Sequence, residues 1–444
     1  MASRFARFSS SRARLFLGVS ASSLGVYYAS THRKIYADMH VSGPQQGLRE
    51  SFVYRPQAGV HRVDSVSWPS NYPCEDVITS MYVRPMSWSF WSVYDGHVGP
   101  QTAWHLEKHL LPNLAESLYD LYAQGALQPQ TDAIHKVIKD VFVSLDDDIV
   151  KSSAQIVLNQ PEGTPIKALA ARVLHIARAG SCALVAFYDH NVRTLHVPVV
   201  GDSRAILGRR RKDKTSDGKV IYDVHVLSLD QTGNNPAEVE RLTALHPDEK
   251  DKLFKGPRFL GWGVSRAFGN GVMKWSVEVQ KFMQEKCLGH KPRDVMLTPP
   301  YFTAEPEITS TKIESGDFMI MASDGLWDCL TNEEAVGLVG AWLERNGAGS
   351  SANAISSFFD DEEEQVIERG DLPVQLPDDG KTHYANWPGC KKQFVNVDSN
   401  VARHLARNAL GGADKDLHVA LMSTPAPRSR YFRDDVSAVV VFFE

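Results

Sequence analysis

The chain has 444 residues, 43% of them hydrophobic and 23% charged, which suits a globular protein with one large core or two domains and rules out a mostly disordered chain. With 48 Lys and Arg against 53 Asp and Glu the formal net charge is −5, and the lack of a basic excess argues against nucleic acid as a main partner. The five cysteines (Cys74, Cys182, Cys287, Cys329 and Cys390) are odd in number, scattered and without a Cys-x-x-Cys, which argues against a disulfide framework and a thiolate metal site and fits a reducing interior.

In chain order, the first acidic residue is Asp38, and before it come Arg4, Arg7, Arg12, Arg14, Arg33 and Lys34 among many Ser and Ala. Arg-rich, Ser-rich and acid-poor is the composition of a mitochondrial transit peptide, so residues 1–40 read as a targeting segment and the protein as mitochondrial, in the matrix or at the inner membrane. Residues 15–29 are apolar but short against the about 20 residues of a membrane span; they fit either the apolar face of the presequence or a short inner-membrane tether. A secretory signal is the rival, and the scattered cysteines count against it.

Residues 41–444 read as a single domain whose first part, 40–70, is a Ser-, Pro- and Gly-rich lead-in. Runs dense in aromatic and β-branched residues predict strands within 80–94, 182–188, 194–200, 222–229, 318–323 and 437–443. Helical stretches are expected at 101–123, 131–151, 236–247, 331–346 and 396–410, with Thr331 and Glu334 forming a capping box. Only five residues join the runs 182–188 and 194–200, which suits an antiparallel hairpin, because a parallel crossover needs about a dozen. The class is therefore α+β with antiparallel sheets. Insertions are expected near 209–219, a basic turn, and 347–395, which carries the acidic run Asp360 to Glu364.

Three strand runs end in an aspartate: SFWSVY leads into Asp95-Gly96-His97, HVPVV into Gly201-Asp202, and FMIMAS into Asp324-Gly325-Leu326-Trp327-Asp328. In the last run the order reverses, and Arg433-Asp434-Asp435 stands before SAVVVFF. In an antiparallel sheet the end of one strand lies beside the start of its neighbour, so these carboxylates can converge on one edge. Clustered carboxylates repel unless a cation sits among them. With no His pair or Cys group near them in sequence, the ligands on offer are oxygens, which suit Mg²⁺ or Mn²⁺. Such a pair of ions activates water and offsets charge in phosphate-ester hydrolysis, and His97, two residues after Asp95, is placed to act as general acid. Taken singly, each Asp-Gly reads equally as a hairpin turn.

The strings Glu75-Asp76, VYDGH (93–97), AGSCA (179–183), VGDSRA (200–205), SRAFGN (265–270), ASDGLWD (322–328) and RDD (433–435) closely resemble the metal-dependent, 2C-type serine/threonine protein phosphatases. The resemblance implies a four-layer α-β-β-α sandwich of two antiparallel sheets flanked by helices. It further implies two Mg²⁺ or Mn²⁺ ions bridged by Asp95, with the Gly96 carbonyl, Asp324 and Asp434 as ligands and Glu75 and Asp76 acting through water. Asp202 and Asp328 match a third, weaker metal position of some members, and Ser181, Asp435 and Asn71 match supporting positions. NYPCED (71–76), EVERLTALHP (238–247), SRAFGNGVMKWSVEVQK (265–281) and TPPYFTAEPEIT (298–309) are most similar to the branch acting on the mitochondrial pyruvate dehydrogenase complex, which implies phosphoserine on the E1α subunit as substrate. Two departures stand out. No arginine precedes Glu75-Asp76, where many members hold phosphate with one, and Asn71 stands there instead; Val98 replaces a glycine of the usual DGHGG.

Overall fold

The computed structural model describes residues 14–20, 23–29, 34–41, 48–124, 128–212, 219–347 and 365–444. Two antiparallel sheets lie face to face. The first has the order Lys34–Val41, Val77–Val83, Trp88–Tyr94, Ala183–Asp189, Thr194–Val200, Glu307–Lys312, with Arg14–Ser20 and Ser23–Ala29 beyond its first edge. The second runs Tyr222–Val226, Arg204–Arg210, Phe318–Ala322, Val436–Phe443, Val60–Trp68, Arg49–Tyr54.

Alternation along the strands builds the layers. In Trp88–Tyr94, Trp88 and Phe90 pack toward the helices Gln101–Ala123 and Thr131–Asp147, whereas Trp91 and Val93 pack against the other sheet. The paired Phe90 and Phe187 rings stack at 4.8 Å on the helical side. In Val436–Phe443, Val439, Val441 and Phe443 enter the core between the sheets, and Val436, Ala438, Val440 and Phe442 face the helices Asn332–Gly347 and Val401–Ala409. Both faces of each central strand are buried, so these strands read as continuous apolar runs despite being antiparallel. Each fully buried large side chain contributes roughly 1.5–3 kcal/mol. Helix, sheet, sheet, helix is the expected four-layer sandwich.

Several expectations need correction. The run 80–94 is two strands, broken by the turn Arg84–Met86 around Pro85, which fixes its own φ and cannot continue a ladder. The supposed lead-in 40–70 contains Val60–Trp68, a central strand paired with Val436–Phe443. Its charges hid it: Arg62 donates to Asp64 (Nη2–Oδ2 2.7 Å), two residues away on the same face, and both are buried. The segment 131–151 continues as helix to Leu158. Of the insertion at 347–395, residues 348–364 lie outside the described residues, while Ile367, Leu372, Val374, Tyr384 and Phe394 belong to the core beneath the second sheet. In the basic turn, residues 213–218 also lie outside the described residues.

The segment set aside as a leader contributes strands: Lys34–Val41 pairs with Val77–Val83, and Ser23–Ala29 with Lys34–Val41. Residues 15–29 thus fall largely in strands, and among the described residues no helix is long and apolar enough to cross a membrane.

Candidate active site

Trp88–Tyr94 delivers Asp95 to the end of the first sheet. The chain then leaves the sheet, and Gly96–His97 pairs with Gly180–Ser181, which pairs on its other side with Phe268–Gly269. This small sheet brings Asn270 to His97, with Nε2 and Oδ1 2.7 Å apart. Only glycine fits at 180: a Cβ there would lie 2.0 Å from Asn270 Oδ1 and 2.3 Å from His97 Nε2. The His97 ring also lies 5.8 Å from that of Trp262, and burial lowers its pKa below the usual 6.5.

Phe318–Ala322 ends at Ser323 and the short helix Asp324–Trp327, placing Asp324 beside the start of the last strand. A Cβ on Gly325 would stand 2.1 Å from the Asp435 carbonyl and 3.3 Å from the Asp434 Cβ, so this glycine permits the close approach of the two chain segments. Asp434 and Asp435 divide their work. Asp435 is buried and accepts from the backbone N–H groups of Ser70, Asn71 (2.8 Å) and Glu75 (2.9 Å) and from Asn71 Nδ2 (3.3 Å). Asp434 is only half-buried and lies against the Arg430 guanidinium.

Asp435 thereby sets the loop that carries Glu75 and Asp76. Glu75 accepts from the Gly99 N–H at 2.8 Å and faces Asn71 Nδ2 at 3.4 Å, and the Gly96 N–H donates to the Glu75 carbonyl at 3.1 Å. Asp76, fully buried, accepts from Ser323 Oγ at 2.7 Å. On the far side, Asp202 follows Thr194–Val200 and faces Cys182, whose Sγ lies 3.2 Å from Oδ1. One ligand atom each of Asp95, Cys182 and Asp202 lie within 4.8 Å of one another.

The electrostatics follow from this crowding. Burial, then Asp324, Asp76 and Asp202, raise the Asp95 pKa well above the carboxylate range. Asp324 is raised by burial, then by Asp202, Asp328 and Asp76; Asp76 by burial and then Asp435. Burial also pushes Asp202 up to about 6, with Asp230 adding repulsion. A carboxylate cluster with this much mutual repulsion fits a bound hard cation, and its donors are mostly oxygens.

The structure thus brings Asn71, Glu75, Asp76, Asp95, Gly96, His97, Asp202, Asp324, Asp434 and Asp435 to one end of the sandwich. Asp328 sits at its exposed rim. Ser181 turns away, its hydroxyl donating to the Cys182 carbonyl at 2.7 Å, so it anchors the small sheet. Cys182, 20 residues before Asp202, also faces Asp202 and Asp95 and enters through the sheet register. Asp230 and Arg430 were missed. Asp230 had a signal, since it too ends an apolar run (222–229); it takes Arg204 Nε at 2.8 Å.

Comparison with known proteins identifies the family. Residues 73–362 match the family model described as protein phosphatase 2C. A protein phosphatase 2C homolog of Schizosaccharomyces pombe is 36% identical over 396 residues, covering 87% of this chain and 81% of that protein. The mitochondrial pyruvate dehydrogenase (acetyl-transferring) phosphatase 1 of Saccharomyces cerevisiae is 34% identical over 436 residues, covering 92% of this chain and 73% of that protein. A serine-threonine phosphatase 2C of Toxoplasma gondii overlies 89% of this chain and 99% of its own, at a TM-score of 0.47 and 16% identity. The chain belongs to the protein phosphatase 2C family. It is a phosphoprotein phosphatase, a hydrolase.

Proposed function

We propose that the chain is a mitochondrial, metal-dependent protein serine/threonine phosphatase that hydrolyses phosphoserine on the E1α subunit of pyruvate dehydrogenase and so activates that enzyme. The observation that carries the chemistry is the meeting of carboxylates from five separate chain regions at one end of the paired sheets, where neighbouring carboxylates raise one another's pKa values. Two Mg²⁺ or Mn²⁺ ions would be held by Asp95 between them, with the Gly96 carbonyl, Asp324 and Asp434, and with Glu75 and Asp76 through water; Asp202 and Asp328 would take a third. When bound, such ions acidify water and offset the charge on a phosphoryl group.

The remaining work falls to the chain. Asn71, the Gly99 N–H and the Asp435 clamp orient Glu75. Asn270 holds the His97 ring, which gives a proton to the departing serine oxygen. Arg430, beside Asp434, presents a cation to an incoming phosphate where the usual arginine is missing.

The substrate reading rests on the Saccharomyces cerevisiae relative, whose likeness extends over 92% of this chain. Its name also supports a mitochondrial location, and the Arg- and Ser-rich, acid-poor composition of residues 1–40 supports a targeting segment ahead of a single catalytic domain, although Lys34–Val41 pairs with Val77–Val83. A second reading keeps the chemistry and changes the mitochondrial substrate. A third, a binding module without activity, is disfavoured because Asp95, Asp324 and Asp434 are all retained.

Two measurements decide among them. Asp95→Asn is expected to abolish Mg²⁺- or Mn²⁺-dependent hydrolysis of a phosphoserine peptide while leaving circular dichroism unchanged; retained turnover removes Asp95 from the site. In mitochondria lacking the protein, E1α phosphorylation is expected to rise, and an unchanged level favours another substrate.

A further inference from the structure

The presence of a thiol among the carboxylates has its own chemical consequence. Cys182 stands between Gly180–Ser181 and Ala183–Asp189, so the junction of two sheets fixes its backbone. Its N–H donates to the Asp95 carbonyl at 2.8 Å, and its Sγ is 3.2 Å from Asp202 Oδ1. Gly201, at φ +103, packs on the thiol: a Cβ there would lie 2.3 Å from Sγ. The thiol therefore has little freedom to turn away from Asp202 and Asp95.

We propose that Cys182, Asp202 and Asp95 form a binding position for a thiophilic divalent ion, zinc or cadmium, which adds a sulfur ligand to carboxylates that the activating ions otherwise use. Around a tetrahedral zinc, with Zn–S about 2.3 Å and Zn–O about 2.1 Å, a sulfur and an oxygen ligand sit about 3.6 Å apart. The separations here, 3.2 Å for Sγ to Oδ1 and within 4.8 Å for the whole set, need only small side-chain shifts to reach that geometry. Mg²⁺ and Mn²⁺ gain little from sulfur, whereas zinc and cadmium gain much, so the thiol selects between the two classes of ion. On binding, the metal–sulfur bond replaces the S–H bond and the proton leaves to solvent. Three protein ligands leave a fourth position to water.

Asp95 is shared with the activating ions in the proposed function. The site's inhibitory effect rests on that reading, whereas its occupancy does not: zinc at Cys182 takes a carboxylate that hydrolysis needs.

The test uses the full chain. Titration with Cd²⁺ should produce the near-ultraviolet sulfur-to-cadmium charge-transfer absorption, saturating at one equivalent. Cys182→Ser should abolish it, and Asp202→Asn, which keeps the thiol, should weaken binding about tenfold or more. Zn²⁺ should inhibit Mn²⁺-dependent hydrolysis of p-nitrophenyl phosphate competitively with Mn²⁺, and about tenfold less strongly in Cys182→Ser. A band that is absent from the wild type, or that survives in Cys182→Ser, overturns the site, as does equal zinc inhibition of both proteins. A missing band with intact Mn²⁺-dependent activity overturns this inference alone. The band with no Mn²⁺-dependent activity overturns the hydrolytic reading alone.

Discussion

Two adjacent residues just before the last strand, Asp434 and Asp435, do unlike things. Asp435 is spent on backbone N–H groups and fixes a loop, while Asp434 stays half-buried beside Gly325 and the Arg430 guanidinium. His97 is similarly defined by its surroundings. An acid matters most when the leaving group is poor, so His97→Ala should slow hydrolysis of a phosphoserine peptide by about a hundredfold or more and affect p-nitrophenyl phosphate far less. Equal losses on both substrates would remove it from the acid role. The next residue carries strain: Val98 sits at φ +59, a left-handed conformation that a β-branched side chain resists, and it is exposed, so no packing is lost on shortening it. Relief of roughly 1–3 kcal/mol, set against about 1 kcal/mol of glycine entropy, predicts that Val98→Gly stabilises the fold by about 1 kcal/mol. Urea titration measures this, and a destabilised variant would show that the strain is absorbed elsewhere.

Among the elements, the helix Asn332–Gly347 shows how a local motif is reused. The expected capping box is present: Thr331 N–H donates to Glu334 Oε2 at 2.9 Å and Glu334 N–H to Thr331 Oγ1 at 3.2 Å. The same carboxylate, fully buried, takes Arg369 at 2.6 Å and Lys392 at 2.8 Å, so one cap also anchors the segment 365–395. Glu334→Gln leaves the buried Lys392 without its counter-charge and should cost about 3 kcal/mol in denaturant unfolding, far more than the loss of a cap alone. A cost below about 1 kcal/mol would mean that Lys392 is satisfied by other groups. In the neighbouring segment Glu238, Arg241, Ser265 and Arg266 form a comparable buried cluster, with the Arg side chains holding the Glu238 pKa down to about 2 against the effect of burial. The strings EVERLTALHP and SRAFGN, which carry part of the family resemblance, thus meet in structure as an ion-pair network that ties the helix Pro236–Leu245 to Ser265 and Arg266.

At the scale of the whole molecule, buried imidazoles are one source of acid sensitivity. Burial lowers His196 and His404 to about 4, against an unfolded value near 6.5. Between those values these two imidazoles bind more protons in the unfolded chain than in the folded one, so their contribution to stability rises with pH through this window and is lost as pH falls from about 6.5 toward 4, opposite in sign to that of the raised active-site carboxyls. For the fully buried His404 the whole window amounts to about 3 kcal/mol. Urea unfolding at pH 7 and pH 5 should show the fall, and His404→Gln should flatten it; an unchanged slope would assign the acid sensitivity to other groups.

The sequence by itself determined most of the apolar runs, several helices, the capping box and most of the acidic residues gathered at the site, because each is a local pattern: burial on two faces, helical spacing, or an aspartate at a strand end. Tertiary structure alone decided the rest. Val60–Trp68 could be recognised as a central strand only once Arg62 was seen to neutralise Asp64 between packed layers. Cys182 joined Asp95 and Asp202, and Asp435 reached Glu75 across 360 positions, because sheet pairing and the approach to the last strand bring separate segments together, and no periodicity in one chain records which strand ends will share an edge.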